Sequence, residues 1–130
     1  MRYRIQTAKP QQFINITPMV AEAIKNSNVQ EGIAVIYVPH TTAGVTINEN
    51  ADPDVVRDMI SALDKTYPVQ GEYLHCEGNS HAHIKASLMG PSCTVIITDG
   101  KLLLGTWQGI YFCEFDGPRN REFYEKILRG

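Results

Sequence analysis

The sequence predicts an α+β fold: a largely antiparallel, β-sandwich-like core with about three helices packed on it. Three observations carry this. Strand-like and helix-like patterns are mixed along the chain without strict alternation. Two Pro-marked helix starts, at Thr17-Pro18 and Asp52-Pro53, each lead into apolar residues at helical spacing. After Gly90-Pro91 the chain is β-rich and contains an Asp99-Gly100 hairpin signal. With 130 residues and no linker or repeat, residues 1–130 read as one domain with one core.

The elements follow in order. Residues 1–7 alternate, with Met1, Tyr3 and Ile5 on one side and Arg2, Arg4 and Gln6 on the other, which is a half-buried strand. Phe13 to Ile16 is a second short strand. Thr17 then caps a helix that turns Met19, Val20, Ala23 and Ile24 inward and frays at Asn26-Ser27-Asn28. Gly32 to Val38 (GIAVIYV) is almost wholly apolar and β-branched, so it reads as a central strand covered on both faces. Pro39 ends it, and His40 follows. Val45 to Asn48 is another strand. Asp52 caps the second helix, whose inner face is Val55, Val56, Met59, Ile60 and Leu63. Tyr67 to Gly78 is a long polar loop. Asn79 and Ser80 cap a short helix that runs to Met89, and Gly90-Pro91 stops it. The remaining strands are Cys93 to Thr98, Leu102 to Leu104, Thr106 to Glu114 and Glu122 to Leu128.

Composition narrows the function. A net charge of −2 argues against a nucleic-acid face, which needs concentrated basic charge. No apolar run approaches the roughly 20 residues of a membrane helix. The start, Met1-Arg2-Tyr3-Arg4-Ile5, lacks the apolar core of a signal peptide. Cys76, Cys93 and Cys113 are odd in number and form no CxxC pair, which fits reduced, mostly buried thiols in the cytoplasm. Cys76, beside His75, is a weaker site candidate.

The chemistry concentrates between residues 40 and 83, where all four histidines lie. His75, His81 and His83 fall within nine residues, together with Glu77 and Asn79. His40 leaves a buried strand, a rigid support for a functional side chain. It opens a segment, HTTAGVTINENADPD, with Glu49, Asp52 and Asp54 but no Lys or Arg. Imidazole is the commonest protein ligand for zinc-like metals, and three imidazoles with one position open to water make a catalytic arrangement. A single histidine is more often merely solvated, and His40 must be brought to His75 by the fold. His81 and His83 share a face on a strand but stand about 200° apart on a helix; the helix is preferred, so one of the two faces away. Capping accounts for Asp52, and the helix dipole for Asp54. Glu49 and Glu77 are equal candidates for a general base or for a partner that orients an imidazole.

A further dense segment is Leu104 to Gly109, which holds the single Trp107 between Gly105 and Gly109. It is either a core tryptophan at a bulge or a pocket wall in which Thr106 or Gln108 binds a ligand. Arg119 and Arg121, after Gly117-Pro118, form the nearest thing to an anion clamp, although paired loop arginines are usually solvated.

Three segments, HTTAGVTINENADPDVVRDM, YLHCEGNSHAHIKASLMGPS and LGTWQGIYFCEFDGPRNR, together resemble the YjbQ-type family of secondary thiamine-phosphate synthase-like proteins. The resemblance runs from about residue 10 to the end, and GTWQ at 105–108 is its most distinctive run. It implies a sandwich-like α+β fold, a homotrimer with sites near subunit interfaces, and a metal site at His40, His75 and His83. It places Glu49, Asp52, Glu77 and Gln108 on motif positions, and His81 outside the pattern. It also implies a weak thiamine-phosphate synthase activity, joining a pyrimidine pyrophosphate to a thiazole phosphate.

The expected enzyme uses a divalent metal, zinc by its imidazole ligands, or magnesium if the synthase chemistry holds. Glu49, Asp52 or Glu77 would move a proton. Thr106, Trp107, Gln108 and Arg119 would bind a small phosphorylated substrate. The alternatives are a metal-dependent hydrolase, or a trimer that holds a metal or small ligand without turnover.

Overall fold

The structure is a computed structural model that describes residues 1–130. It contains β1 (Arg2–Gln6), β2 (Gln12–Asn15), α1 (Thr17–Ser27), β3 (Gly32–Tyr37), β4 (Ala43–Glu49), α2 (Pro53–Thr66), α3 (Ser80–Met89), β5 (Ser92–Thr98), β6 (Lys101–Leu102), β7 (Gln108–Glu114) and β8 (Asn120–Arg129). A five-stranded sheet has the order β1-β8-β3-β5-β6, and a three-stranded sheet the order β2-β7-β4. Every pairing is antiparallel.

The two sheets face each other across the main core. Ala34 and Ile36 of β3, Val95 and Ile97 of β5 and Phe123 of β8 meet Val45 of β4 and Ile110 and Phe112 of β7, with Val20 and Ile24 of α1 closing the edge. Alternation along β7 sends the intervening residues, Tyr111 and Cys113, to the other face of the small sheet. There they pack against Ala82 and Ala86 of α3 and Phe115, with Val56 and Leu63 of α2 on the margin. The small sheet is thus covered on both faces.

The large sheet is not. β3 sits in its middle, as a buried apolar strand should, but only one face is buried. Tyr37, Ile96, Tyr124 and Leu128 are exposed on the other, so the expectation of a strand covered on both faces is corrected for this single chain. The apolar face of α2 is likewise only half-buried, with no fully buried residue.

Local signals resolve as follows. Asp52 accepts the Asp54 N–H at 2.9 Å and caps α2. Asp99 and Gly100 both adopt positive φ, as a two-residue hairpin turn requires. Thr17 is not the cap of α1. That position belongs to Ile16, and the Thr17 hydroxyl instead accepts the Ile110 N–H at 2.7 Å, tying the helix to β7. The strand expected at 102–104 shortens to Lys101–Leu102, and the one expected from Thr106 begins at Gln108. The cause is a turn. Gly105 N–H donates to Gln108 Oε1 at 2.7 Å, and Gln108 N–H to Gly105 O at 3.1 Å. No helix is long and apolar enough to cross a membrane.

Candidate functional site

The site begins where β3 hands over to β4. Val38 N–H donates to Pro91 O, and Val45 N–H to Gly90 O, so the end of α3 is stitched to both strands. Gly44 makes this possible, since a Cβ there would stand 2.8 Å from Gly90 O. His40 lies in the connection between these anchors. Its Nε2 accepts the Glu122 N–H of β8 at 2.9 Å. An imidazole nitrogen that accepts a hydrogen bond carries no proton, so the proton of neutral His40 resides on Nδ1. Burial, reinforced by the Arg121 guanidinium, lowers the His40 pKa and favours this neutral form.

On α3, residues four apart share a stripe, and three adjacent stripes have three jobs. Ala82 and Ala86 pack on β7. His83 and Ser87 line a cavity of about 310 Å³ together with His40 and Thr41. His81 and Lys85 turn the other way and are buried. The Lys85 ammonium reaches Asp64 Oδ1 of α2, Gln11 Oε1 at 3.1 Å and His81 Nδ1 at 3.2 Å. His83 is therefore the histidine that faces the cleft, and His81 is occupied elsewhere.

His83 also lines a second cavity, of about 510 Å³, with Tyr73, Leu74 and His75 of the long loop. The His75 and His83 rings meet edge to face with centroids 5.6 Å apart. His75 is exposed, and its Nε2 lies 3.9 Å from Glu77 Oε1. His83 is thus the wall between a cavity shared with His40 and one shared with His75. No three His, Cys, Asp or Glu side chains stand close enough to share one ion in this arrangement.

The other candidates lie apart. Ala43, beside His40, and Glu49 are the two ends of β4, about 20 Å from one another at the rise of an extended strand. Glu49 is paired with Gln108, and Asn50 N–H donates to Trp107 O, so Glu49, Thr106, Trp107 and Gln108 gather at that distant end. Trp107 is 62% exposed and is no core residue. Gln108 closes its own turn, and Asp52 caps α2. Arg119 is held by the Asp116 carbonyl and carboxylate, at 2.7 and 2.9 Å.

The paired-arginine reading needs correction for Arg121. Its guanidinium is buried and grips the fully buried Glu114 carboxylate through both oxygens. Thr7 Oγ1 and Asp116 N–H also donate to that carboxylate, and Arg121 donates to Thr42 Oγ1 at 2.8 Å. Burial alone pushes the Glu114 carboxyl up. The Arg121, Asp116 and Thr7 donors outweigh it and hold the carboxyl below the usual range. This buried pair joins β7 of one sheet to β8 of the other, one residue from the amide that fixes His40. Sequence reasoning also missed Lys85 as a buried charge. The one available signal was the four-residue repeat His81/Lys85 on a helix whose polar residues are not confined to one face. The cysteines differ in setting: Cys76 is exposed, Cys93 is pushed up to about 11 by burial, and Cys113 is pushed far up by deeper burial.

Comparison with known proteins agrees with the motifs. The model of the UPF0047 protein YjbQ-like family matches residues 1–130. A UPF0047 protein of Methanocaldococcus jannaschii is 61% identical over 98% of this chain and 92% of its own length. YugU of Bacillus subtilis is 52% identical over 96% of each. The crystal structure of an uncharacterised YjbQ/UPF0047-family protein from Clostridium acetobutylicum superposes with a TM-score of 0.97 at 60% identity, covering 98% of this chain and 99% of that one. A YbjQ-like protein of unknown function from Sulfolobus solfataricus still gives 0.95 at 29% identity, covering 100% and 96%. The chain therefore belongs to the YjbQ-like UPF0047 family.

Proposed function

We propose that the protein is a metal-dependent enzyme that acts on a small phosphorylated molecule in the cleft lined by His40 and His83. The observation that carries this reading is the pairing of His75 with His83. Two imidazoles on one tetrahedral zinc ion place their ring centroids roughly 5 Å apart, near the 5.6 Å observed. Imidazole donors select zinc over magnesium. A bound zinc ion would polarise a phosphoryl or carbonyl oxygen.

The side chains of this chain do the rest. Glu77 Oε1 stands 3.9 Å from His75 Nε2 and would orient that ring by closing to hydrogen-bond distance. His40, with its proton on Nδ1, donates to the ligand. It becomes a third metal ligand only by giving up the Glu122 N–H, whether Nε2 itself takes the metal or the proton moves to Nε2 and frees Nδ1. Glu49, Trp107 and Gln108, at the far end of the small sheet, are too distant to serve the same cleft within one chain; the homotrimer that the family resemblance implies would let one copy's turn meet its neighbour's cleft. The exposed apolar face of the large sheet favours self-association as well. Three free cysteines favour the cytoplasm as the setting. The chemistry to assay is pyrimidine pyrophosphate joining to thiazole phosphate, with phosphate-ester hydrolysis as the alternative.

His83→Ala is expected to fold and to weaken zinc binding by about a hundredfold, with parallel loss of turnover. Calorimetric titration of metal-free protein checks this, alongside both activity assays with zinc restored. Zinc binding of equal strength in wild type, His75→Ala and His83→Ala would sink the reading.

A further inference from the structure

A cavity of about 520 Å³ lies against the paired strands β1 and β8 and shares His40 as a wall with the cavity that His83 lines. Its polar wall follows from strand alternation. Arg4 and Gln6 project to the outer face of β1, and their cross-strand partners on β8 are Glu122 and Asn120. The charges of this wall do not cancel. The Glu122 carboxylate is engaged by Arg2 at 3.2 Å, and the Arg121 guanidinium by Glu114. Arg4 is left with no carboxylate partner. Gln6 and Asn120 add amide donors that no protein group occupies. His40, which forms the end wall, offers no free acceptor, because its one unprotonated ring nitrogen is held by the Glu122 amide.

From this we propose that the cavity is an oxyanion subsite, with Arg4 as its cation and Asn120 and Gln6 as its neutral donors. A phosphate monoester or carboxylate fits the donor set, and a cation does not. The proposal deepens the functional reading and rests on it only in one respect: a ligand whose anionic group sits against Arg4 passes over His40 and places its reacting part beside His83. The two cavities that share His40 then hold two ends of one molecule.

Inorganic phosphate is the probe, titrated into metal-free full-length protein and followed by amide chemical shifts. Saturable shifts are expected at residues 4, 6 and 120. Arg4→Gln, an exposed change that spares folding, should weaken phosphate about tenfold or more. Asn120→Ala should weaken it less. Arg57→Gln, an exposed arginine on α2, should leave it unchanged, and so should His83→Ala. Zinc titration of Arg4→Gln should match wild type. Phosphate that fails to saturate, shifts mainly elsewhere, or weakens equally in Arg57→Gln and Arg4→Gln overturns the subsite. Phosphate that depends on Arg4 supports it even where zinc fails to bind, so the two readings fail separately.

Discussion

Arg121→Met is expected to lower folding stability by about 3–5 kcal/mol, the loss typical of a buried ion pair stripped of one partner. Methionine fills much of the volume, so the cost is electrostatic: Glu114, fully buried, keeps its charge without its cation. The pH dependence identifies the cause. In the wild type the Glu114 carboxyl is depressed in the folded state. Its contribution is therefore complete above the unfolded value, about 4.3 for glutamate, and is lost as pH falls through the folded value. In Arg121→Met the sign reverses. A buried carboxyl without its guanidinium has a raised folded pKa, so mild acid, by neutralising it, restores part of the lost stability. Urea unfolding of both proteins between neutral pH and mild acid makes the comparison. The double variant Glu114→Gln/Arg121→Met should recover much of the loss. Equal acid sensitivity of wild type and Arg121→Met would refute the argument.

Asp64→Ala carries the second large effect. Lys85 is fully buried, and Asp64 is its one carboxylate. Asp64 is 41% exposed, so water screens the pair and the expected loss is discounted to about 2–3 kcal/mol. Lys85→Met, which removes the buried charge itself, should cost less than Asp64→Ala. The loss has a location as well as a size. α2 buries no residue fully and is tied to the body by Asp64 and by the margins of Val56 and Leu63. Hydrogen exchange should therefore quicken along Pro53–Thr66 in Asp64→Ala before it changes in β7. Uniform acceleration across the chain would show that α2 is not a separate unit of opening.

Local chemistry made much of the fold readable. Period-two alternation at residues 2–6, the Asp52-Pro53 start and the Asp99-Gly100 turn each follow from one residue and its neighbours, and each stands where expected. The failures come where a partner is distant in sequence. Thr17 looks like a cap until Ile110 takes its hydroxyl. Thr106 looks like the start of a strand until Gln108 folds back on Gly105. The uncovered side of β3 cannot be told from a covered one by composition alone. At the site, the helix periodicity behind His81 and His83 was readable, because it needs only 3.6 residues per turn. The distance between Glu49 and His40 was not. Both sit near the ends of one strand, and a short sequence separation hides an extended span. Lys85 was not singled out, and Arg121 was read as a loop arginine, solvated or clamping an anion, since burial of a cation depends on acceptors supplied by other segments.

The unequal surroundings of the three sulfurs give the molecule a built-in handle for labelling. A thiol reacts as its thiolate, so an alkylating dye at neutral pH finds position 76 open and the other two shielded by apolar packing. A fluorophore placed there rides on the loop next to His75, and the lone indole at position 107 supplies a native donor for energy transfer from the opposite end of the small sheet.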